Sequence, residues 1–209
     1  MGHEARRFVR VPPELLLAFE WSAVALNIGF TILIALDKRI GWLLGFVASV
    51  LSTVVYAEQD SWLMAALNAL YYAGMGLYGW WNWGKAEGSK NIIEFRPRRH
   101  AWLLFIGLGI AVALWSTMHG LRIPGTYQFM EAFIAAFAII ATWMMSAKVL
   151  SNWIYWTIGD MVSVVYNELL DLHGYALLNA VYIGLAVAGY VRWRRAYREQ
   201  SGASRLTAS

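Results

Sequence analysis

The 209 residues contain no cysteine, which excludes a disulfide framework, a thiolate metal site and a cysteine nucleophile. Charge is also scarce. Charged residues make up 14% of the chain, against about 25% in an average globular protein. That shortage excludes a disordered protein, a coiled coil and an ordinary soluble enzyme. The four histidines, His3, His100, His119 and His173, fall in loops or termini between apolar blocks, so no paired haem ligands or intramembrane zinc site is expected. There is no P-loop, so the chain does not hydrolyse ATP by that device. No metal and no cofactor is expected. The net charge of +4 does not point to nucleic acid, because the basic residues sit between apolar blocks. Such clusters mark the cytoplasmic side of membrane proteins.

What the chain has in abundance is apolar surface. Hydrophobic residues make up 59%, and there are 12 Trp and 11 Tyr. The mean hydropathy is +0.48. A membrane-spanning helix needs about 20 mostly apolar residues. Seven segments qualify: 14–36, 41–57, 62–83, 101–118, 127–147, 150–168 and 174–193. The N-terminal MGHEARRFVRVPP lacks the cleavage site of a signal peptide. The long internal linker is 84–100, and 196–209 reads as a disordered tail. Of the 17 Lys and Arg, only Arg6, Arg7, Arg10 and Arg122 fall on one side of the seven segments. The remainder, including Lys38, Arg39, Lys148 and Arg192, fall on the other. The linker and the C-terminus are therefore expected in the cytoplasm and the N-terminus outside.

The chain also resembles itself. A shift of 111 residues brings Trp42 onto Trp153, Ser52 onto Ser163, Asp60 onto Asp171, Asn68 onto Asn179 and Tyr71 onto Tyr182. Similarity between any two Leu-rich helices does not explain matched Trp, Asn and Asp without a gap. Residues 14–83 and 127–195 therefore read as two three-helix repeats, with 84–126 holding a cytoplasmic linker and a connecting helix. Four segments separate the two starts, so the repeats run parallel. Parallel repeats are a transporter architecture, with substrate bound between the halves.

Charge inside a bilayer is costly and marks function. Helical steps place Trp153, Trp156, Asp160, Ser163 and Asn167 on one face. That stripe cannot face lipid, so it faces either a cavity or another helix, to which Asp160 would bond and on which the tryptophans would pack. The matching stripe is Trp42, Gly45, Ser49, Ser52 and Tyr56, without the carboxylate, so the site is expected to be asymmetric. The third helix of each unit offers Asn68 and Tyr72, or Asn179 and Tyr182, which either bind substrate or join helices. Trp80, Trp81, Trp83, Trp102 and Trp193 read as an interfacial aromatic belt.

YGWWNW (Tyr78 to Trp83) and NWIYWTIGDMVSVVY (Asn152 to Tyr166) resemble the PnuC-type vitamin transporters, a family of nicotinamide riboside transporters with thiamine- and riboflavin-transporting relatives. The resemblance spans about residues 17–196. It implies a SWEET-like fold, often a homotrimer, in the inner membrane of a bacterial cell. It implies facilitated diffusion, made one-way by cytoplasmic phosphorylation of the substrate. Carried over, Asn152, Trp153 and Trp156 belong to the site. One position departs from the nicotinamide riboside members, which tend to carry Gln where this chain has Ala69. The residues agree with the family on separate grounds. Nicotinamide riboside and thiamine are cationic aromatics, and a desolvated indole face attracts a cation by about 2 kcal/mol. The full candidate set is Trp42, Asn68, Tyr72, Asn152, Trp153, Trp156, Asp160, Asn179 and Tyr182. No enzymatic activity is expected. The competing classes are a membrane-embedded enzyme, which would need more converging chemistry than Asp160, and a capture subunit dependent on an ATPase partner.

Overall fold

The computed structural model describes residues 11–58, 65–85, 91–123, 127–169 and 173–206. Arg6, Arg7, Arg10, Asp60 and Asp171 lie outside the described residues. Within them the chain is helical apart from one isolated β-bridge, Ile93 with Val149. Helix α1 is Pro13–Ala35 and α2 is Gly41–Glu58. Helix α3 opens as a π-helix over Leu67–Tyr72 and continues as an α-helix over Ala73–Gly84. Then follow α4 (Pro97–Gly120), α5 (Gln128–Ser146), α6 (Asn152–Leu169) and α7 (His173–Leu206). Prolines start α1 and α4 at positions where a missing N–H costs nothing.

Among the described residues five helices, α1, α2, α4, α5 and most of α7, are long and apolar enough to cross a membrane. Helix α6 falls short for a chemical reason, since Asn152, Asp160, Ser163 and Asn167 dilute its apolar residues. The ring contacts run α1–α2–α3–α5–α6–α7 and back to α1, and α4 packs outside the ring on α5. Helix α5 is the most buried. Ala132, Ala135, Ala136, Ala138 and Ala141 let its neighbours approach closely. Helix α4 instead exposes Trp102, Phe105, Leu108 and Val112.

The boundaries repeat. Helices α2 and α6 begin at 41 and 152 and end at 58 and 169, each pair 111 apart. The turns before them match as well. Asp37 (φ 59°) and Lys148 (φ 53°) are both left-handed, a conformation that side chains rarely adopt. In each turn two N–H groups return to the preceding helix. Asp37 and Lys38 bond Ile34 and Leu33, while Lys148 and Val149 bond Met145 and Met144. These are Schellman stops, which satisfy carbonyls the helix end would orphan.

After the π-helix the spacing becomes 110. Gly79 lies against the Trp42 ring and Gly189 against the Trp153 ring. Trp83 Nε1 donates to Ser146 O at 3.0 Å, and Trp193 Nε1 donates to Ile34 O at 3.2 Å. The extra residue is taken up by the wider π turn, so both glycines meet their tryptophans in register.

Three expectations need correction. Trp83 and Trp193 are buried, not interfacial, because both indoles close the gap between helix ends. Trp81 and Trp102 are exposed, as a belt requires. His100 and His119 sit in the first and last turns of α4, not in loops. Finally, α7 runs to Leu206, through the stretch read as a disordered tail. Ala196 and Tyr197 pack on the tryptophan cluster there, and Ile92 N donates to Gln200 Oε1 at 3.1 Å.

The close glycine contact is testable. A Cβ at Gly79 would collide with the Trp42 ring, while one at Gly109 meets nothing within 4 Å. Gly79→Ala should cost about 1–3 kcal/mol of stability by overpacking, and Gly109→Ala should be neutral or slightly stabilising. Thermal unfolding in detergent, followed by size exclusion, distinguishes the two.

Candidate functional site

Inside the ring lies a cavity of about 310 Å3. Helices α1, α2, α3, α5, α6 and α7 line it, and α4 does not. Its walls hold Trp42, Asn68, Tyr72, Trp153, Trp156, Asp160, Asn179 and Tyr182, eight of the nine residues singled out from the sequence. These come from both ends of the chain and converge because each stripe turns its polar side away from lipid. The exception is Asn152. It is fully buried at the start of α6, and its Nδ2 donates to Val149 O at 2.7 Å. It shapes the turn before α6 and does not line the cavity.

The two halves furnish the cavity differently. Position by position, Gly45, Ser49 and Ser52 on α2 correspond to Trp156, Asp160 and Ser163 on α6. The Phe30 ring fills the space over Gly45, where a Cβ would meet it at 3.0 Å. The carboxylate therefore stands on one wall only. Asp160 is 8% exposed, and Tyr72 and Tyr182 stand close enough to feel its charge. The hydroxyls of Ser49, Thr142 and Ser163 each donate to a carbonyl of their own helix at 2.8 to 2.9 Å, leaving lone pairs to accept from a ligand.

Tryptophans close one end of the cavity. Trp42 meets Trp83 edge-on at 5.7 Å, Trp83 meets Trp193 at 6.2 Å, and Trp193 meets Trp153 at 5.4 Å. The indole N–H groups of Trp42, Trp153 and Trp156 have no hydrogen-bond partner among the described residues. A ligand with carbonyl or hydroxyl oxygens could accept from them.

The π-helix also decides which tyrosine enters the cavity. Matched by sequence, Tyr71 corresponds to Tyr182, yet Tyr72 lines the cavity and Tyr71 does not. The Tyr71 hydroxyl instead donates to Ile139 O on α5. Ala69 points outward and is not part of the wall, so the departure from the resembling family lies away from the cavity. Asn27 and Thr31 on α1 were not anticipated. Their signal was legible, since they are polar, four residues apart, and set in the otherwise apolar second half of α1.

A ring of helices with apolar outer faces around a small-molecule-sized cavity that carries polar groups in a largely apolar wall defines a multi-pass membrane protein built to hold a solute. The comparisons identify which kind. The family model described as Nicotinamide mononucleotide transporter matches residues 17–195, and the chain belongs to that family of transporters. It is 22% identical over 197 residues to the nicotinamide riboside transporter PnuC of Escherichia coli (strain K12), covering 80% of this chain and 81% of that one. The Shigella flexneri protein of the same name matches equally well. The fold is that of the crystal structure of the vitamin B3 transporter PnuC, with a TM-score of 0.73 at 16% identity, over 92% of this chain and 86% of that one.

The tyrosine register gives a second test. Tyr71→Phe removes a bond to α5 and should lower stability by about 1 kcal/mol. Tyr72→Phe, whose hydroxyl faces the cavity, should change stability by less than about 0.5 kcal/mol. Denaturation of the two purified variants checks the order. The reverse order would place Tyr71 in the cavity.

Proposed function

We propose that the protein carries nicotinamide riboside across the bacterial inner membrane by facilitated diffusion, with phosphorylation in the cytoplasm making uptake one-way. One observation carries this reading. A single carboxylate, Asp160, shares a cavity with Trp42, Trp153 and Trp156, and a cationic aromatic ring is the ligand that uses both. The names of the Escherichia coli and Shigella flexneri relatives support the substrate. Thiamine, also a cationic aromatic, is the alternative within the same fold.

The architecture belongs to the same proposal. All seven helices span the membrane, with α1–α3 and α5–α7 as parallel repeats joined by α4, as in SWEET-like folds. The matched ends of α2 and α6 support this, as does the closed ring, in which α3–α5 and α7–α1 are the two equivalent junctions. Loops 36–40, 91–96 and 147–151 gather with the end of α7, and the loops and that end together carry nine of the 17 Lys and Arg. This end is placed in the cytoplasm and the N-terminus outside. The homotrimer implied by the family resemblance leaves each ring with its own cavity.

Two experiments test the proposal. Liposomes containing only this protein should take up nicotinamide riboside down its gradient without ATP, and a pH step at zero voltage should not drive accumulation. Accumulation above equilibrium under that step would replace facilitated diffusion with proton coupling. Calorimetry tests the carboxylate. Asp160→Asn should weaken nicotinamide riboside more than its reduced, uncharged form, and Trp156→Ala should weaken it by about 1–3 kcal/mol. An unchanged cation-to-neutral ratio in folded Asp160→Asn would remove the counter-ion, and with it the case for a cation.

A further inference from the structure

The tryptophan end of the cavity is held by an ion pair that joins the two halves of the chain. Lys148 Nζ lies 2.6 Å from Asp37 Oδ1. The two residues stand 111 positions apart, in the equivalent left-handed turns after α1 and α5. Each turn therefore offers its partner one charge of opposite sign across the junction. The Lys148 side chain is 5% exposed and its Nζ lies 4.5 Å from the Trp83 ring, while the Asp37 side chain is 36% exposed. Lys148 is thus a nearly buried cation that finds its counter-charge, among the described residues, in Asp37.

The bonds around the pair also cross between halves. Asn82 Nδ2 and Trp83 Nε1 both donate to Ser146 O, and Trp193 Nε1 donates to Ile34 O. A solute leaving the cavity through this end must part these contacts.

The two turns are not anchored alike. The 91–96 segment straps the second turn. Ile93 N donates to Lys148 O at 3.0 Å, and Leu150 N donates to Ile93 O at 2.8 Å. Ile92 and Phe95 are buried beneath the strap. The first turn has no such strap among the described residues. Arg39 ties it to its own half instead, with Nε donating to Trp80 O at 2.7 Å and the guanidinium over the Trp80 ring.

We infer that Asp37 and Lys148 form the latch of a gate at this end, and that the gate opens by movement of the Asp37 turn away from a fixed Lys148 turn. The role as a gate rests on the transport reading above. The mechanics are electrostatic. Breaking one partner of a buried pair leaves a charge that must find water. Water reaches Lys148 if the turns separate.

The absence of native cysteine makes the test direct. Ala138→Cys places a reporter in the cavity wall. A charged, membrane-impermeant thiosulfonate is added to the side bearing the C-terminal helix, and the labelling rate is measured without any substrate. Asp37→Asn should raise that rate about fivefold or more. Adding Lys148→Met, which removes the buried charge and fills its space, should return the rate to that of the native latch or below. A rate unchanged by Asp37→Asn would overturn the latch. So would a double variant that labels as fast as the single one. If Asp37→Asn does not reach the membrane, Asp37→Gly, free of strain at this φ, carries the same test. The moving half is read separately, with spin labels that pair either Ile40→Cys or Ile93→Cys with Phe105→Cys on α4, all at exposed positions. Asp37→Asn should lengthen the first distance and leave the second unchanged; an unchanged first distance, or a change in the second instead, would overturn the assignment of the moving turn. Labelling that responds as expected in a protein that takes up no nicotinamide riboside would contradict the substrate and leave the latch standing.

Discussion

A carboxylate cannot face hydrocarbon, and neither can a row of amides and hydroxyls. That constraint organises this structure. Helix α6 carries Asp160, Ser163 and two indoles on one side, and α2, α3 and α7 carry polar stripes of their own. All of them satisfy the constraint at once only by turning toward a common interior. The result is a closed ring with these polar groups gathered around an inner cavity and apolar side chains outside. Helix α4 has no such stripe, and it lies outside the ring.

Close packing at one end turns this ring into a container. Trp42 and Trp153 fit because Gly79 and Gly189 offer no side chain. Trp83 and Trp193 then reach across to Ser146 O at the end of α5 and to Ile34 O at the end of α1, which also accepts from Asp37 N. Each interaction has a counterpart in the other half of the chain. The π-helix at Leu67–Tyr72 preserves that correspondence despite an extra residue, and it swaps Tyr71 for Tyr72 at the cavity wall.

Much of this was legible in the sequence. The apolar blocks located the helices, and helical spacing alone gathered Trp153, Trp156 and Asp160 on one face. What stayed hidden had physical reasons. A fixed shift of 111 cannot pair Gly79 with Gly189 or Trp83 with Trp193, because a π turn is not visible in composition. Trp83 and Trp193 therefore read as belt residues when they are core. Asp37 and Lys148 also escaped, since identity scoring ignores positions that match by opposite charge. Asn152 has the composition of a binding residue, but it stands outside the cavity lining, with its Nδ2 donating to the turn before α6. The helical end of α7 depends on Ala196 and Tyr197 meeting a distant cluster, which local propensity does not reveal.

The most direct test of the account is a structure of the protein with nicotinamide riboside bound. The account predicts the pyridinium ring inside the cavity, against Trp153 or Trp156 and within ion-pair reach of the Asp160 carboxylate. A ligand bound outside the ring of helices would contradict it, as would one inside with Asp160 turned away and bonded to a neighbouring helix.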